Sequence, residues 1–309
     1  MSDIKIFVSN RIDLNSELIS NPLFIPVRCG AVFDSRPETT ILGDNSGENI
    51  SERRKTFNEL TVQYWAWKNV DADYYGLCHY RRYMIFSKKE LQADPYGNVL
   101  FDMLNYDSCM ECGLLDPVRM RKIIEENDLI VSVPYDVTYR GFRNLYEHYT
   151  EVPMQHRKDM ETALEVVREL TPEYTEAAEA YFNGTLFYPC NLFIMRKPIF
   201  EEYCQWLFTL LFELEKRIDI SGYDEQEQRV FGMLGERLFG VFFTQYIKTH
   251  PNCKYRIVQR ALFWHTEQNY ECQKTKIKSI KRTVKKCLGE SSYIYRFLKS
   301  IYYLFDGRE

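Results

Sequence analysis

The stretch Asp73-Tyr74-Tyr75-Gly76-Leu77-Cys78-His79-Tyr80-Arg81-Arg82-Tyr83 changes character at its centre. Tyr74 to Cys78 is aromatic and apolar with one internal Gly, the make-up of a short strand buried on both faces. A His, two Arg and two Tyr then follow without a spacer. α/β folds bind ligands outside the carboxyl ends of their strands, so this strand end points to a site at a sheet edge. Adjacent guanidiniums repel each other unless an anion lies between them. Arg also holds phosphate or carboxylate through two parallel hydrogen bonds. The pair Arg81 and Arg82 is therefore read as a diphosphate clamp; the alternative is that each pairs with one of the chain's many carboxylates.

The rest of the composition narrows the class. A length of 309 residues suits one large α/β domain or two small ones. A net charge of −4 argues against a general nucleic-acid binder. The 23 Tyr exceed ordinary usage, and flat rings stack on sugars and bases, although most of them must serve the core. The nine Cys are scattered and odd in number, which argues for reduced thiols in the cytosol. Cys109 and Cys112 form a CxxC with no second pair at zinc spacing, so they are read as structural. Met1-Ser2-Asp3 runs straight into an apolar strand rather than a signal peptide, and no run approaches the roughly 18 apolar residues of a spanning helix. A cytoplasmic protein is expected.

Upstream of the strand, Ile4 to Val8 is a second apolar strand, closed by Ser9-Asn10-Arg11, as nucleotide-binding α/β domains open. Phe24 to Phe33 reads as an extended piece. Gly43 to Ser51 is a polar loop that offers Asp44, Asn45, Glu48 and Asn49, with Ser51 as the expected helix N-cap. Glu52 to Asn69 then reads as one helix, with Phe57, Leu60, Thr61, Tyr64, Trp65 and Lys68 at amphipathic spacing. Trp65 and Trp67 lie about 200° apart on it, so both cannot face the core. Asp71 and Asp73 precede the strand and are poorly placed for a metal–diphosphate site.

Downstream, residues 87–116 look like a polar insertion or mobile loop, with Pro95, Gly97 and Gly113. A helix over 117–127 and a strand over 128–134 resume the α/β rhythm. Residues 135–148 read as a loop over a site. His148 and His156 match no metal motif. Helices over 157–170 and 173–181, a strand over 191–195 and a core helix over 200–214 follow. Residues 223–245 form one or two helices with Asp224, Gln228, Arg229, Glu236 and Arg237 on a charged face. Glu236 lies in apolar surroundings beside Arg237, as a general base or as half of an ion pair. Residues 251–266 add a strand. Residues 267–309 read as a basic amphipathic helical tail: seven cations without an acid over 274–286, then aromatic and aliphatic residues over 293–305. Such a segment suits an anionic membrane surface, the alternative being a solvated helix.

Three blocks carry a resemblance: Gly43–Ser51 with Phe57–Asn69 (FNELTVQYWAWKN); Tyr74–Tyr83 (YYGLCHYRRY); and Asn191–Met195 with Phe200–Phe208 and Tyr223–Phe239. Together they resemble the bacterial capsular and exopolysaccharide glycosyltransferases catalogued as domain of unknown function 4422, over residues 4–245. The resemblance implies an α/β, GT-A-like fold over residues 1–266, with a mixed central sheet flanked by helices. It further implies a nucleotide-sugar donor, a UDP-sugar with UDP-galactofuranose leading. The implied acceptor is a growing, lipid-linked capsular, exopolysaccharide or O-antigen repeat, which places the enzyme peripherally on the inner face of the cytoplasmic membrane. The family commonly has His-Lys where this chain has Asn10-Arg11, and Cys where it has Asn58.

On these grounds Arg81 and Arg82 neutralise the leaving nucleotide and His79 and Tyr80 orient it. Asp44, Asn49, Glu59 and Lys68 contact the donor. Asn191, Gln228 and Arg229 line the acceptor side, and Asp224 or Glu236 is the base of an inverting transfer. GT-A enzymes hold a divalent cation on an Asp-x-Asp at a strand end. Here the strand end carries cations, which can supply that neutralisation themselves, so no metal site is expected. Mn or Mg held through His79 is the alternative. A non-catalytic sugar-binding or scaffold subunit of a polysaccharide assembly complex is the second reading of the whole chain.

Overall fold

The computed structural model describes residues 1–36 and 39–267. The basic run 274–286 and the aromatic run 293–305 lie outside the described residues. The strands are β1 (Ile4–Arg11), β2 (Phe24–Cys29), β3 (Leu42–Gly43), β4 (Tyr74–His79), β5 (Arg82–Met84), β6 (Asn98–Met103), β7 (Leu129–Ser132), β8 (Tyr135–Asp136), β9 (Leu186–Phe187), β10 (Phe193–Arg196), β11 (Tyr255–Val258) and β12 (Arg260–His265). The helices are α1 (Arg54–Phe57), α2 (Leu60–Asn69), α3 (Tyr106–Glu111), α4 (Pro117–Glu125), α5 (Leu145–Glu151), α6 (Arg157–Leu170), α7 (Thr175–Asn183), α8 (Lys197–Arg217) and α9 (Val230–Thr249).

The spine of the main sheet runs β11-β7-β10-β4-β1-β2-β3. β1 pairs in parallel with both β2 and β4, while β10 is antiparallel to β4 and β7. β4 turns through Tyr80-Arg81 into β5, which hands the sheet on to β12 and β6. Strands covered on both faces must be apolar on both, and the alternation of side chains sorts them. Phe7, Tyr75, Leu77 and Phe193 face a core formed with α2, α8 and α9. Ile4, Ile6, Val8, Tyr74, Cys78 and Ile194 face a second core with Tyr83, Phe86, Met120 and Ile124.

The expected strands over 4–8, 74–78, 128–134 and 191–195 and the core helix over 200–214 are present, with bounds shifted by a few residues. Four expectations change. The extended piece from Phe24 stops at Cys29, because Gly30 turns left-handed (φ 71°) into a single 3-10 turn. The helix over 52–69 is broken: Asn58 adopts φ 51°, ending α1 before α2 begins. Ser51 does not cap that helix; its hydroxyl is drawn to the buried Asp44 carboxylate instead. Residues 87–116 carry β6 and α3, with Leu104, Cys109, Cys112 and Leu114 buried in the second core. The polar residues there do local work: Asn105 and Ser108 cap α3 reciprocally, and Asp116 caps α4 ahead of Pro117. Trp65 is buried with its indole N–H on Ser46, whereas Trp67 stacks on Phe208 of α8.

Asp44 is fully buried and its carboxylate accepts from Gly30 N–H (2.8 Å), Ala31 N–H (2.9 Å), Thr61 Oγ1 (2.6 Å) and Ser51 Oγ. It ties the end of β2 to the loop before α1 and to the first turn of α2. Replacing it by Ala leaves these donors unsatisfied, and a hydrogen bond to a charged group contributes about 1.5–3 kcal/mol. Asp44→Ala should therefore lower the unfolding free energy by more than about 3 kcal/mol in urea titration. A loss of under about 1 kcal/mol would show that the loop anchors itself by other means.

Candidate active site

Parallel register brings three strand ends together. Ser9 of β1 pairs with His79 of β4, and Arg11 of β1 pairs with Cys29 of β2. Because β4 and β2 flank β1 on opposite sides, this edge is a topological switch point, where a crevice opens. Ser9, Arg11, Cys29 and His79 all line a cleft of about 250 Å³. Its remaining walls are Tyr80, Arg81 and Arg82 from the β4–β5 turn, Arg54, Asn58 and Glu59 from the break between α1 and α2, and Arg229 ahead of α9.

Five guanidiniums thus face a lining whose sole carboxylate is Glu59. Asp13 holds two of them at the mouth: Arg11 Nε lies 2.9 Å and Arg54 Nη2 3.3 Å from its Oδ1. That contact with Arg11 holds the Asp13 carboxyl below its usual range. Arg81, Arg82 and Arg229 form no ion pair among the described residues, and Arg81 Nε is buried without a hydrogen-bond partner. Burial, then the neighbouring Arg82, lowers the Arg81 guanidinium. The expected alternative, a pairing of Arg81 and Arg82 with carboxylates, is not formed among the described residues, although Glu236 and Glu59 lie near enough to Arg82 to help raise its pKa. An anion in the cleft would relieve both the burial and the mutual repulsion.

Glu59 is itself spoken for. Its Oε1 accepts from Asn191 Nδ2 at 2.7 Å and lies 3.3 Å from His79 Nε2. Burial alone raises its pKa; the close approach of His79 and the hydrogen bond from the Asn191 amide outweigh that and hold it at about 2. A divalent cation does not fit this lining. The one carboxylate is occupied, and the surrounding guanidiniums repel a cation. Among the described residues no group of three or more His, Cys, Asp or Glu has metal-binding geometry.

Glu236 lies half-buried on α9. Burial and then the Glu59 carboxylate raise its pKa above the ordinary carboxyl range, against the pull of Arg237, Arg82 and His79. Its approach depends on two glycines on the same helix. A Cβ at Gly232 would lie 2.3 Å from Asn58 Nδ2, and one at Gly235 2.6 Å from Leu60 Cδ1. Their absence lets α9 close on the α1–α2 break. Arg237 is buried behind Glu236 and donates to His148 Nδ1 at 2.8 Å, over the ring of Phe187.

The residues singled out in the sequence therefore separate. The cleft gathers His79, Tyr80, Arg81, Arg82, Glu59 and Arg229; Asn191 touches it through Glu59. Glu236 and five others stand outside its lining. Asp44 is the loop anchor; Asn49 bonds within its own loop, to Gly47 O and Ser51 N–H. Lys68 lies over Trp67 and pairs with Glu48 at 3.6 Å. Exposed Asp224 accepts from Gln226 and Glu227 N–H, and Gln228 donates to Tyr223 O. Residues 135–148 fold as β8, a 3-10 turn and the start of α5, and bury His148. Sequence reasoning missed Arg11, Arg54 and Asn58 as lining residues. A signal existed for Arg54: Arg53-Arg54-Lys55 places cations at a helix start, where the macrodipole disfavours them.

Comparison with known proteins agrees with this architecture. The family model described as a domain of unknown function, DUF4422, matches residues 5–249. A solved structure titled WbbM bifunctional glycosyltransferase, in its apo form, superposes with a TM-score of 0.80 at 32% identity over 85% of this chain. The chain spans 46% of that protein's length. No curated protein matches in sequence. The likeness and the mixed sheet bear out a GT-A-like α/β fold. No helix among the described residues is long and apolar enough to cross a membrane.

The electrostatics of Glu59 set a pH dependence. Its folded pKa of about 2 lies below the ordinary 4.5, so its contribution to stability is fully present above pH 4.5 and is lost as pH falls toward 2. Glu59→Gln should therefore show a shallower decline of the urea midpoint than the parent protein across that window. Parallel declines would mean that the carboxylate is not held by His79 and Asn191.

Proposed function

The chain belongs to the DUF4422 family, and from that membership and the cation-lined cleft we propose that it is a glycosyltransferase acting on a nucleotide-sugar donor. The observation that carries this reading is the set of guanidiniums without an ion pair among the described residues, Arg81, Arg82 and Arg229, at a strand-end crevice. The relative of known structure named as a glycosyltransferase supports the reaction class. The donor's diphosphate lies among these cations. As the bond from the anomeric carbon to the diphosphate oxygen breaks, charge grows on the leaving nucleotide. Fixed guanidiniums stabilise that charge without reorganising.

In an inverting transfer the acceptor hydroxyl oxygen bonds to the anomeric carbon from the opposite face, and its proton passes to a base. We assign that base to Glu236. Its raised pKa brings it closer to the working range of a proton acceptor, and it stands within electrostatic reach of Arg82 and His79. Exposed Asp224, whose carboxylate caps a turn, suits the role less well. The donor we favour is a UDP-sugar, with UDP-galactofuranose first. The sugar transferred is a hexose, and the acceptor is a growing lipid-linked capsular, exopolysaccharide or O-antigen repeat. Work on such an acceptor suits a protein held on the inner face of the cytoplasmic membrane, and the cations over 274–286 provide the charge for it.

Two measurements test the reading. In EDTA, UDP should bind the parent protein, and Arg81→Ala or Arg82→Ala should each weaken it by about 1.5–3 kcal/mol while the fold persists. Equal affinity in both folded variants refutes the clamp. On a panel of nucleotide sugars, the parent protein should release UDP, which a pure binding subunit would not do. Glu236→Gln should abolish transfer yet keep UDP affinity; near-full turnover would place the base elsewhere.

A further inference from the structure

The loop entering β10 contains two successive non-glycine residues in the left-handed region, Cys190 (φ 75°) and Asn191 (φ 47°). L-residues with a Cβ rarely adopt this conformation, and it clusters at functional sites when the surrounding structure enforces it. What it achieves here is specific. Asn191 is fully buried, and its amide reaches across the sheet edge to Glu59, 132 positions away in sequence. The other end of the contact is delivered in the same way: Glu59 directly follows Asn58, another left-handed residue (φ 51°). Both meet at a single atom, Glu59 Oε1, which also faces His79 Nε2. Among the described residues Asn191 Oδ1 has no hydrogen-bond partner, so the contact with Glu59 is what holds the side chain there.

We propose that Asn191 is a positioning residue for the donor cleft. By donating to Glu59 Oε1 it fixes the carboxylate against His79 Nε2. This sets the rotation of the imidazole and leaves its Nδ1 as the nitrogen open to the diphosphate. The inference rests on the nucleotide reading of the cleft. It moves Asn191 from the acceptor side to the donor side. Without the amide, the Glu59 carboxylate is free to swing toward Arg82 and compete with the ligand for it.

The test uses UDP itself, calorimetry and the ¹⁵N-labelled histidine ring signals of the full chain. Glycine accepts a positive φ without strain, so Asn191→Gly removes the amide while leaving the backbone at ease. UDP affinity should fall roughly tenfold, the scale of one lost charge-assisted contact. The His79 ring signals, which UDP should move in the parent protein, should already differ in the free variant. A folded Asn191→Gly protein with parental UDP affinity and unchanged His79 signals overturns the proposal. Should that variant fail to fold, Asn191→Asp keeps the size and the backbone preference but sets a carboxylate against Glu59. It should lose UDP affinity, and parental affinity in it would equally overturn the assignment. A parent protein without affinity for UDP sinks the nucleotide reading and this inference with it. Loss of affinity in Arg82→Ala but not in either Asn191 variant sinks the inference alone.

Discussion

Repulsion among guanidiniums held close together at a sheet edge is the constraint on which the site depends. Such a cluster is stable only on a rigid support, since a pliable one would splay the cations into solvent. The support is the parallel pairing of β1 with β2 and β4, buried on both faces by two separate cores. Every strand end at this edge is therefore placed by apolar packing rather than by the charges themselves. The partial pairing through Asp13 removes some repulsion at the mouth and leaves the part-buried Arg81 and Arg82 and the exposed Arg229 without an ion pair among the described residues. That remaining positive charge is what the proposed anion-binding role draws on.

The second wall of the cleft comes from helix packing. Arg229, just ahead of α9, reaches the cleft, and Gly232 and Gly235 let α9 pack closely on the broken helix at Asn58 and Leu60. The break and the glycine face are two halves of one arrangement: a continuous helix over 52–69 would have turned Glu59 away from His79. Asp44 has a different part in it. A buried carboxylate with four donors looks, from its sequence context, like a ligand contact. In the fold it anchors the loop that sets where α1 begins. Polar residues in a Gly-rich loop can serve the backbone as well as a ligand, and the two uses leave the same composition.

Carboxyl groups of one kind reach opposite states within this small region. Glu59, paired with His79 and Asn191, is held at about 2. Glu236, half-buried near that same negative charge, moves upward. Environments that drive two carboxyls apart separate a fixed countercharge from a proton acceptor. That separation is the basis on which the proposed roles of Glu59 and Glu236 differ.

The sequence by itself determined the central strands β1, β4, β7 and β10, because their apolar runs are short, β-rich and bounded by polar breaks, and it determined that His79, Tyr80, Arg81 and Arg82 stand at a strand end. The periodicity of α6 and α8 was equally plain, since a helix that buries one face must repeat at 3.6 residues. Tertiary structure alone decided which distant residues join them. Arg11, Arg54 and Arg229 come from three separate segments, and only sheet register and the close approach of α9 bring them into one lining. It also decided that Asp44, Asn49, Lys68 and Asp224 serve local bonds, and that Asn191 answers to Glu59. The physical reason is that local sequence encodes which side chains are buried and in what conformation. A charge's partner, by contrast, depends on distances between segments far apart in the chain, and these exist only once both cores have closed.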